Sequence, residues 1–436
     1  MKKYFLILLS ISFLRLSNLF GWGSHYLVMD RSVKNPQMSF TNELVRVESL
    51  DSFINKNKTK LNHIFHNYYK WMQTSGKTSR INKDYFTKKF VINTQKDFFT
   101  SARLNTSYNA STINRIQPAE KRNFKPVKLS SISRYLHEKE LRRVEFENVA
   151  GKKVSGLSVV RTFADEPDWG FDHGLFTFKE YGYGDQPYGK SKGESSKAPF
   201  HMQFLHENFI VRMFASKMTH GMVEERIELF QRLSTFSFKN GHRYWGYRFA
   251  AWAIHYIQDL AQPYHSKAVP HADLWYYIKF MFSFNKKEIK KETTQLLVNR
   301  HFLYEDFVAY GLEMSYSSEN LLYTSLSSFL VNDNSESYYY PSLETNLDIM
   351  ERVTSLAVSN AQNLDGSIVN AFGFSLTNDP SYNQESDETY SIKVAMKSMN
   401  KEKGKQLLRS TQIDFLNAGR ATRTLLLKCI GKNPNS

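Results

Sequence analysis

Residues Tyr247 to His265 read YRFAAWAIHYIQDLAQPYH, and from Phe249 to Ile257 the run is apolar on nearly every face. A helix that is apolar all round has to lie in the centre of a large core. Into it the sequence places His255 and Asp259, four residues apart and therefore on one side. A carboxylate buried without a partner costs several kcal/mol, so something must pair with Asp259. A neighbouring arginine or a core imidazole would satisfy an isolated H-x3-D. Here Pro263 bends or ends the helix, and His265 follows six residues after Asp259, returning a further possible ligand to the same end.

Other stretches offer residues of the same chemistry. NRHFLYEDF gives His301 and Glu305, again on one helical face, a spacing by which a single helix supplies an imidazole and a carboxylate to zinc. ADEPDWGFDHG offers Asp165, Asp168 and His173 near a turn, and PFHMQFLHE offers His201 and His206. Cys429 is the only cysteine, which excludes thiolate metal sites and any disulfide within one chain. A metal site here is built from imidazole and carboxylate.

The chain opens Met1-Lys2-Lys3, continues with the apolar run Tyr4 to Leu14, and reaches Gly21 through Arg15 and LSNLF. A positive start followed by an apolar stretch too short to span a bilayer reads as a secretory signal over residues 1–21, with an uncleaved signal anchor as the alternative. The chain is therefore expected to be exported, with a mature start at Trp22-Gly-Ser-His25. Formal charge is +16, and without Lys2, Lys3 and Arg15 it is +13. Such a surplus suits anionic lipid or nucleic acid as well as it suits solubility.

Turn-like apolar spacing predicts helices over 25–75, 201–235, 243–262, 297–331 and 343–371, and a basic helix over 391–428. Between 80 and 160 the chain is richer in Asn, Ser, Thr and Lys, and with β-prone pieces such as FVINT and GLSVVRTF it is expected to form strands or long loops. The loop from Thr177 to Pro199 contains G-x4-G-K-S at 184–191 and G-x-S-x-G at 189–193. Each pattern needs a strand before and a helix after to present its chemistry, and KGESSKAPF is no helix start, so both read as solvated loop.

Taken together, Trp22 at the expected start, His255, Asp259 and His265 as H-x3-D-x5-H on a buried helix, and His301 with Glu305 as a final H-x3-E resemble the zinc-dependent phospholipase C and P1/S1 nuclease superfamily. The resemblance spans about 22–374. It implies a mostly α, multi-helix catalytic domain with a large mixed insertion at about 76–160, followed by a C-terminal extension over 375–436. It implies up to three zinc ions: one on Trp22, His25 and Asp259; a second on Asp168, His201, His255 and Asp259; a third on His265, His301 and Glu305. Asp165 remains an alternative to Asp168, and His173 and His206 to His201. The reaction implied is attack of water on phosphorus in line with the leaving group, with Asp168 orienting or deprotonating the water and Asp259 bridging two ions.

Glu305 tilts the resemblance towards phospholipase C, because the nucleases generally place Asp there. Phospholipid head groups at a membrane surface are thus the expected substrate. A P1/S1-like single-strand nuclease is the alternative, and a non-enzymatic surface-binding protein with structural zinc is a third reading from another class. The segment between His265 and His301 contains DLWYYIKFMFSFNKKEIKKE, whose aromatic residues, followed by Lys286, Lys287, Lys290 and Lys291, read either as a membrane-docking element or as a piece of core.

Overall fold

The computed structural model describes residues 24–76, 90–105, 123–124, 148–149, 153–177, 181–189, 197–214, 216–272, 274–317, 321–331 and 338–431. The chain is mostly α-helical, and its described strands form only two-stranded pairs. Helix α1 (His25–Ser32) leads through a 3-10 turn at Pro36–Asn42 to strand β1 (Leu44–Arg46). Helix α2 (Leu50–Thr74) starts where the Ser49 hydroxyl accepts the Ser52 N–H. Helix α3 (Gln95–Ser101) opens on a capping box of Thr94 and Asp97. Strands β2 (Asn123–Phe124) and β3 (Asn148–Val149) pair antiparallel, and β4 (Lys153–Ser155) pairs with β1, Val154 opposite Val45.

Of the two β-prone pieces of the 80–160 region, FVINT follows the loop alternative and GLSVVRTF is corrected. GLSVVRTF is helix α4 (Gly156–Phe163), with Ser155 accepting the Ser158 N–H as its cap. Four of its five buried residues, Gly156, Val159, Val160 and Phe163, fall three and four apart, a helical stripe that overrides the β preference of Val159, Val160 and Thr162. FVINT forms no strand; its Thr94 is the cap of α3. Most of the remaining 76–160 stretch lies outside the described residues, as do Lys190 and Ser191 of the loop motifs.

The helices that follow are α5 (Ala198–His201), α6 (Phe209–Phe214), α7 (Val223–Lys239), α8 (Arg243–Leu260) and α9 (Pro263–Ser266). After them come α10 (Leu274–Phe282), α11 (Lys286–Ser317), α12 (Leu321–Val331) and α13 (Asn346–Phe372). Short α14 (Phe374–Thr377) and α15 (Ile392–Ser398) precede the long α16 (Lys401–Cys429).

Helix α8 is the axis of the molecule: every residue from Tyr244 to Leu260 is buried, as an all-apolar helix requires. It packs against α4, α7, α13 and α16. Helix α16 does not stand apart, because Leu407, Phe415, Ala418, Ala421, Leu425 and Leu426 join the same core as Val28 and Met29 of α1. Gly419 lets α16 approach α12 closely, since a Cβ there would lie 2.4 Å from the Leu330 carbonyl oxygen. One turn on, the buried Arg423 donates to that same carbonyl and, at 2.9 Å, to Ser32 O at the end of α1. The last helix thus holds the first in place.

Candidate metal centre

Helix α8 presents His255, Gln258, Asp259 and, just past its end, Gln262 along one side. Pro263 starts α9, which turns His265 back beside Asp259. Helix α11 supplies His301 and Glu305, α5 supplies His201, and α1 supplies His25 as its first residue. Asp168 lies on a 3-10 turn, Glu166–Trp169. That turn is fastened to α8 by Glu166, which accepts from Arg248 Nε at 2.9 Å and from Trp252 Nε1 at 2.6 Å.

Three groups could each hold a metal ion: His25, His255 and Asp259; Asp168, His201 and His255; and His265, His301 and Glu305. The two oxygens of Asp259 turn to different imidazoles. Oδ1 is 3.3 Å from His25 Nε2 and 3.5 Å from His265 Nδ1, while Oδ2 is 2.8 Å from His201 Nδ1 and 3.5 Å from His255 Nε2. Asp168 Oδ1 lies 3.8 Å from His255 Nε2 and 3.9 Å from His201 Nδ1. In the third group His265 Nε2 is 3.0 Å from His301 Nε2, and Glu305 Oε1 is 2.7 Å from His301 and 3.6 Å from His265.

The outer nitrogens assign the tautomers. His25 Nδ1 donates to Gln258 Oε1 at 2.9 Å, His255 Nδ1 to Ala164 O at 2.8 Å, and His265 Nδ1 to His201 O at 2.9 Å. In the neutral ring the opposite nitrogen is then a lone pair, and in all three it faces other lone pairs or a carboxylate. His25 Nε2 and Asp259 Oδ1 are buried and complete no hydrogen bond. Buried acceptors turned on one another are repulsive until a cation lies between them, and imidazole held by an outer acceptor is the usual manner of holding a metal-binding ring. The nitrogen and oxygen donor set fits zinc.

With no ion in place, the converging carboxylates draw positive charge onto an imidazole. Burial lowers the pKa of His25, yet Asp259, Asp168 and Asp165 outweigh it and raise His25 to about 9. His255 goes the other way, to about 3, through burial reinforced by the charge of His25. Burial opposes ionisation of Asp259, but the imidazoles of His255, His25 and His201 hold it well below the usual carboxylate range. Asp168 is also lowered: burial works against its charge and the Lys197 ammonium, which donates to Oδ1, overcomes it.

The alternatives separate by position. Asp165 Oδ1 accepts the Tyr26 N–H at 3.1 Å, serving the start of α1, and burial pushes its carboxyl up to about 7 even beside His25. His206 Nε2 lies 3.0 Å from the Thr354 hydroxyl on α13, and neither it nor His173 belongs to the three groups. Trp22 lies outside the described residues.

Sequence reasoning missed the residues that orient the ligands. Gln258 and Gln262 follow His255 by three and seven, so helical spacing alone could have placed them on its side. Asp172 faces His201 Nε2 at 3.3 Å and binds Arg226 Nε at 2.9 Å and the Tyr256 hydroxyl at 2.7 Å. Nothing local marks it, since its partners are 54 and 84 residues away. Asp365 of α13 accepts from the Tyr264 hydroxyl at 2.7 Å and from Arg300 Nη1 at 2.6 Å, tying together the chain neighbours of His265 and His301. Compared with known proteins, the chain matches no family model, no curated protein and no solved structure.

Proposed function

We propose that this chain is an exported, zinc-dependent phosphodiester hydrolase related to the phospholipase C and P1/S1 nuclease superfamily, acting on phospholipid head groups. The observation that carries the reading is the fixing of His25, His255 and His265 by outer acceptors, so that their inner nitrogens converge with Asp259, Asp168, His201, His301 and Glu305. Trp22, His25 and Asp259 would hold one zinc; Asp168, His201, His255 and Asp259 a second; His265, His301 and Glu305 a third.

Zinc bound there would lower the pKa of water towards neutrality and polarise phosphoryl oxygens. Asp168, kept ionised with Lys197 on one oxygen, supplies an acceptor for the proton of the attacking water. Asp259 keeps its charge and joins two of the three groups through its two oxygens. Glu305 in the closing H-x3-E favours phospholipid over nucleic acid.

The deciding experiment is a hydrolysis panel on the zinc-reconstituted exported protein, with and without chelator: phosphatidylcholine vesicles, a soluble short-chain phosphatidylcholine and a single-stranded oligonucleotide. Release of the phosphorylated head group, abolished by chelator and restored by zinc, is expected. Cleavage of the oligonucleotide alone would replace the lipid reading with the nuclease one. Full zinc content with no turnover of any phosphodiester would leave a structural metal site and overturn the enzyme.

A further inference from the structure

The segment linking the ligands His265 and His301 leaves its aromatic end in solvent. Phe282 closes α10 at 79% exposure, and Phe284, in the turn before α11, is fully exposed at 102%. Helix α6 also exposes Phe209 at 74% and Met213 at 52%. The two elements meet through Tyr277, which is buried on α10 with Asn208 and Glu207 beside its hydroxyl, at the turn from which α6 starts. Glu207 also accepts the Ala268 N–H at 2.6 Å and pairs with Lys267 at 3.0 Å, so this surface is joined to the chain just after His265.

Large apolar side chains left in solvent signify contact with something other than water. Their surroundings specify what. Lys279, Lys286, Lys287, Lys290 and Lys291 are exposed on the same two helices, against Glu288 and Glu292. Aromatic tips flanked by lysines match the layering of a membrane surface, with rings among the acyl-chain boundary and ammonium groups at the level of anionic phosphates. A single strand of nucleic acid would instead be tracked by rings set along a basic groove. No helix among the described residues is long and apolar enough to cross a membrane.

We infer that Phe282 and Phe284, with Phe209, Met213 and the adjoining lysines, form a docking surface for an anionic phospholipid bilayer, which sets the metal centre against lipid. The inference rests on the phospholipid reading of that centre for its purpose, but its test does not depend on turnover. Co-sedimentation of the full zinc-bound protein is measured with vesicles of pure phosphatidylcholine and of equimolar phosphatidylcholine and phosphatidylglycerol. Preferential binding to the anionic vesicle, weakened by salt, is expected. The double variant F282S/F284S should bind about tenfold more weakly or worse, and Lys286→Glu with Lys287→Glu should remove the preference for anionic lipid.

The thermal midpoint and hydrolysis of a soluble short-chain substrate should be unchanged in both variants, since none of these side chains is packed in the core. Equal vesicle binding by wild type and F282S/F284S, or loss of oligonucleotide binding instead of vesicle binding, would overturn the docking surface. Vesicle binding without hydrolysis would uphold it and sink the phospholipase reading. Hydrolysis of the soluble substrate by a protein that binds no vesicle would do the reverse.

Discussion

Gln258 Nε2 donates to Thr422 Oγ1 at 2.9 Å, so a threonine of the last helix holds the amide that meets His25. With its NH2 group so engaged, Gln258 presents Oε1 to His25 Nδ1 and leaves Nε2 of that ring for Asp259. Thr422→Val keeps the shape and removes the acceptor, which frees the amide to flip. Loss of such an outer partner typically costs about 10-fold or more in metal affinity. We expect weaker zinc binding by about that factor in a competition titration with a chromophoric chelator, with Thr422→Ser restoring it. Equal affinity in the valine variant would show that the amide is held by other means.

Asp259 is the carboxylate whose loss should remove most metal, because its two oxygens serve different imidazoles. Elemental analysis of Asp259→Asn should show the two ions it would join lost together, whereas Glu305→Gln should lose only an ion held by His265 and His301. Circular dichroism on the same samples separates metal loss from unfolding. Wild-type zinc content in folded Asp259→Asn would sink the bridging role.

How much of this could be read in the residues depended on how local each signal was. The buried α8 and its H-x3-D announce themselves within 19 residues, because period and polarity conflict on a single helix. His301 and Glu305 are legible for the same reason. GLSVVRTF was misread because three β-branched residues weigh heavily in a short window, while the stripe at 156, 159, 160 and 163 needs a core to mean anything. The integration of α16 was also invisible: Arg423 reaches Ser32 across 391 residues, and no pattern near either end signals it. Asp172, Lys197 and Asp365 act through partners far along the chain, so their roles belong to the tertiary structure alone.

Asp365 is the common anchor of the third group, and truncating it should loosen both ligands. Asp365→Ala strips the buried Arg300 of its carboxylate and the Tyr264 hydroxyl of its acceptor. Breaking a buried ion pair from one side costs about 3–5 kcal/mol. The expected result is a lower unfolding midpoint together with selective loss of the zinc on His265, His301 and Glu305. Asp365→Asn keeps an acceptor for Tyr264 and should do less damage. Unchanged stability and full zinc in the alanine variant would show that Thr377 O, Asn378 and His271, the other partners of Arg300, suffice.

Asp414 of α16 provides a pH test. Burial drives its carboxyl up to about 8, with Asn360 and Tyr304 as its hydrogen-bond partners holding it back only in part. In the unfolded chain a carboxyl titrates near ~3.9. A folded pKa above the unfolded one means that the folded state retains a proton the unfolded state gives up. The contribution of Asp414 to stability is therefore fully present below about pH 4 and is lost as pH rises through about 8. Asp414→Asn is neutral at every pH, and its amide can still accept from Asn360 and donate to Tyr304. Urea unfolding of both proteins across that range should give nearly equal stabilities at the acid end and an increasing advantage for the variant towards pH 9. Taking the difference between the two proteins cancels the titration of every other group. Parallel stability curves would show that Asp414 is ionised in the folded protein at neutral pH, and would remove the buried carboxyl from the pH dependence.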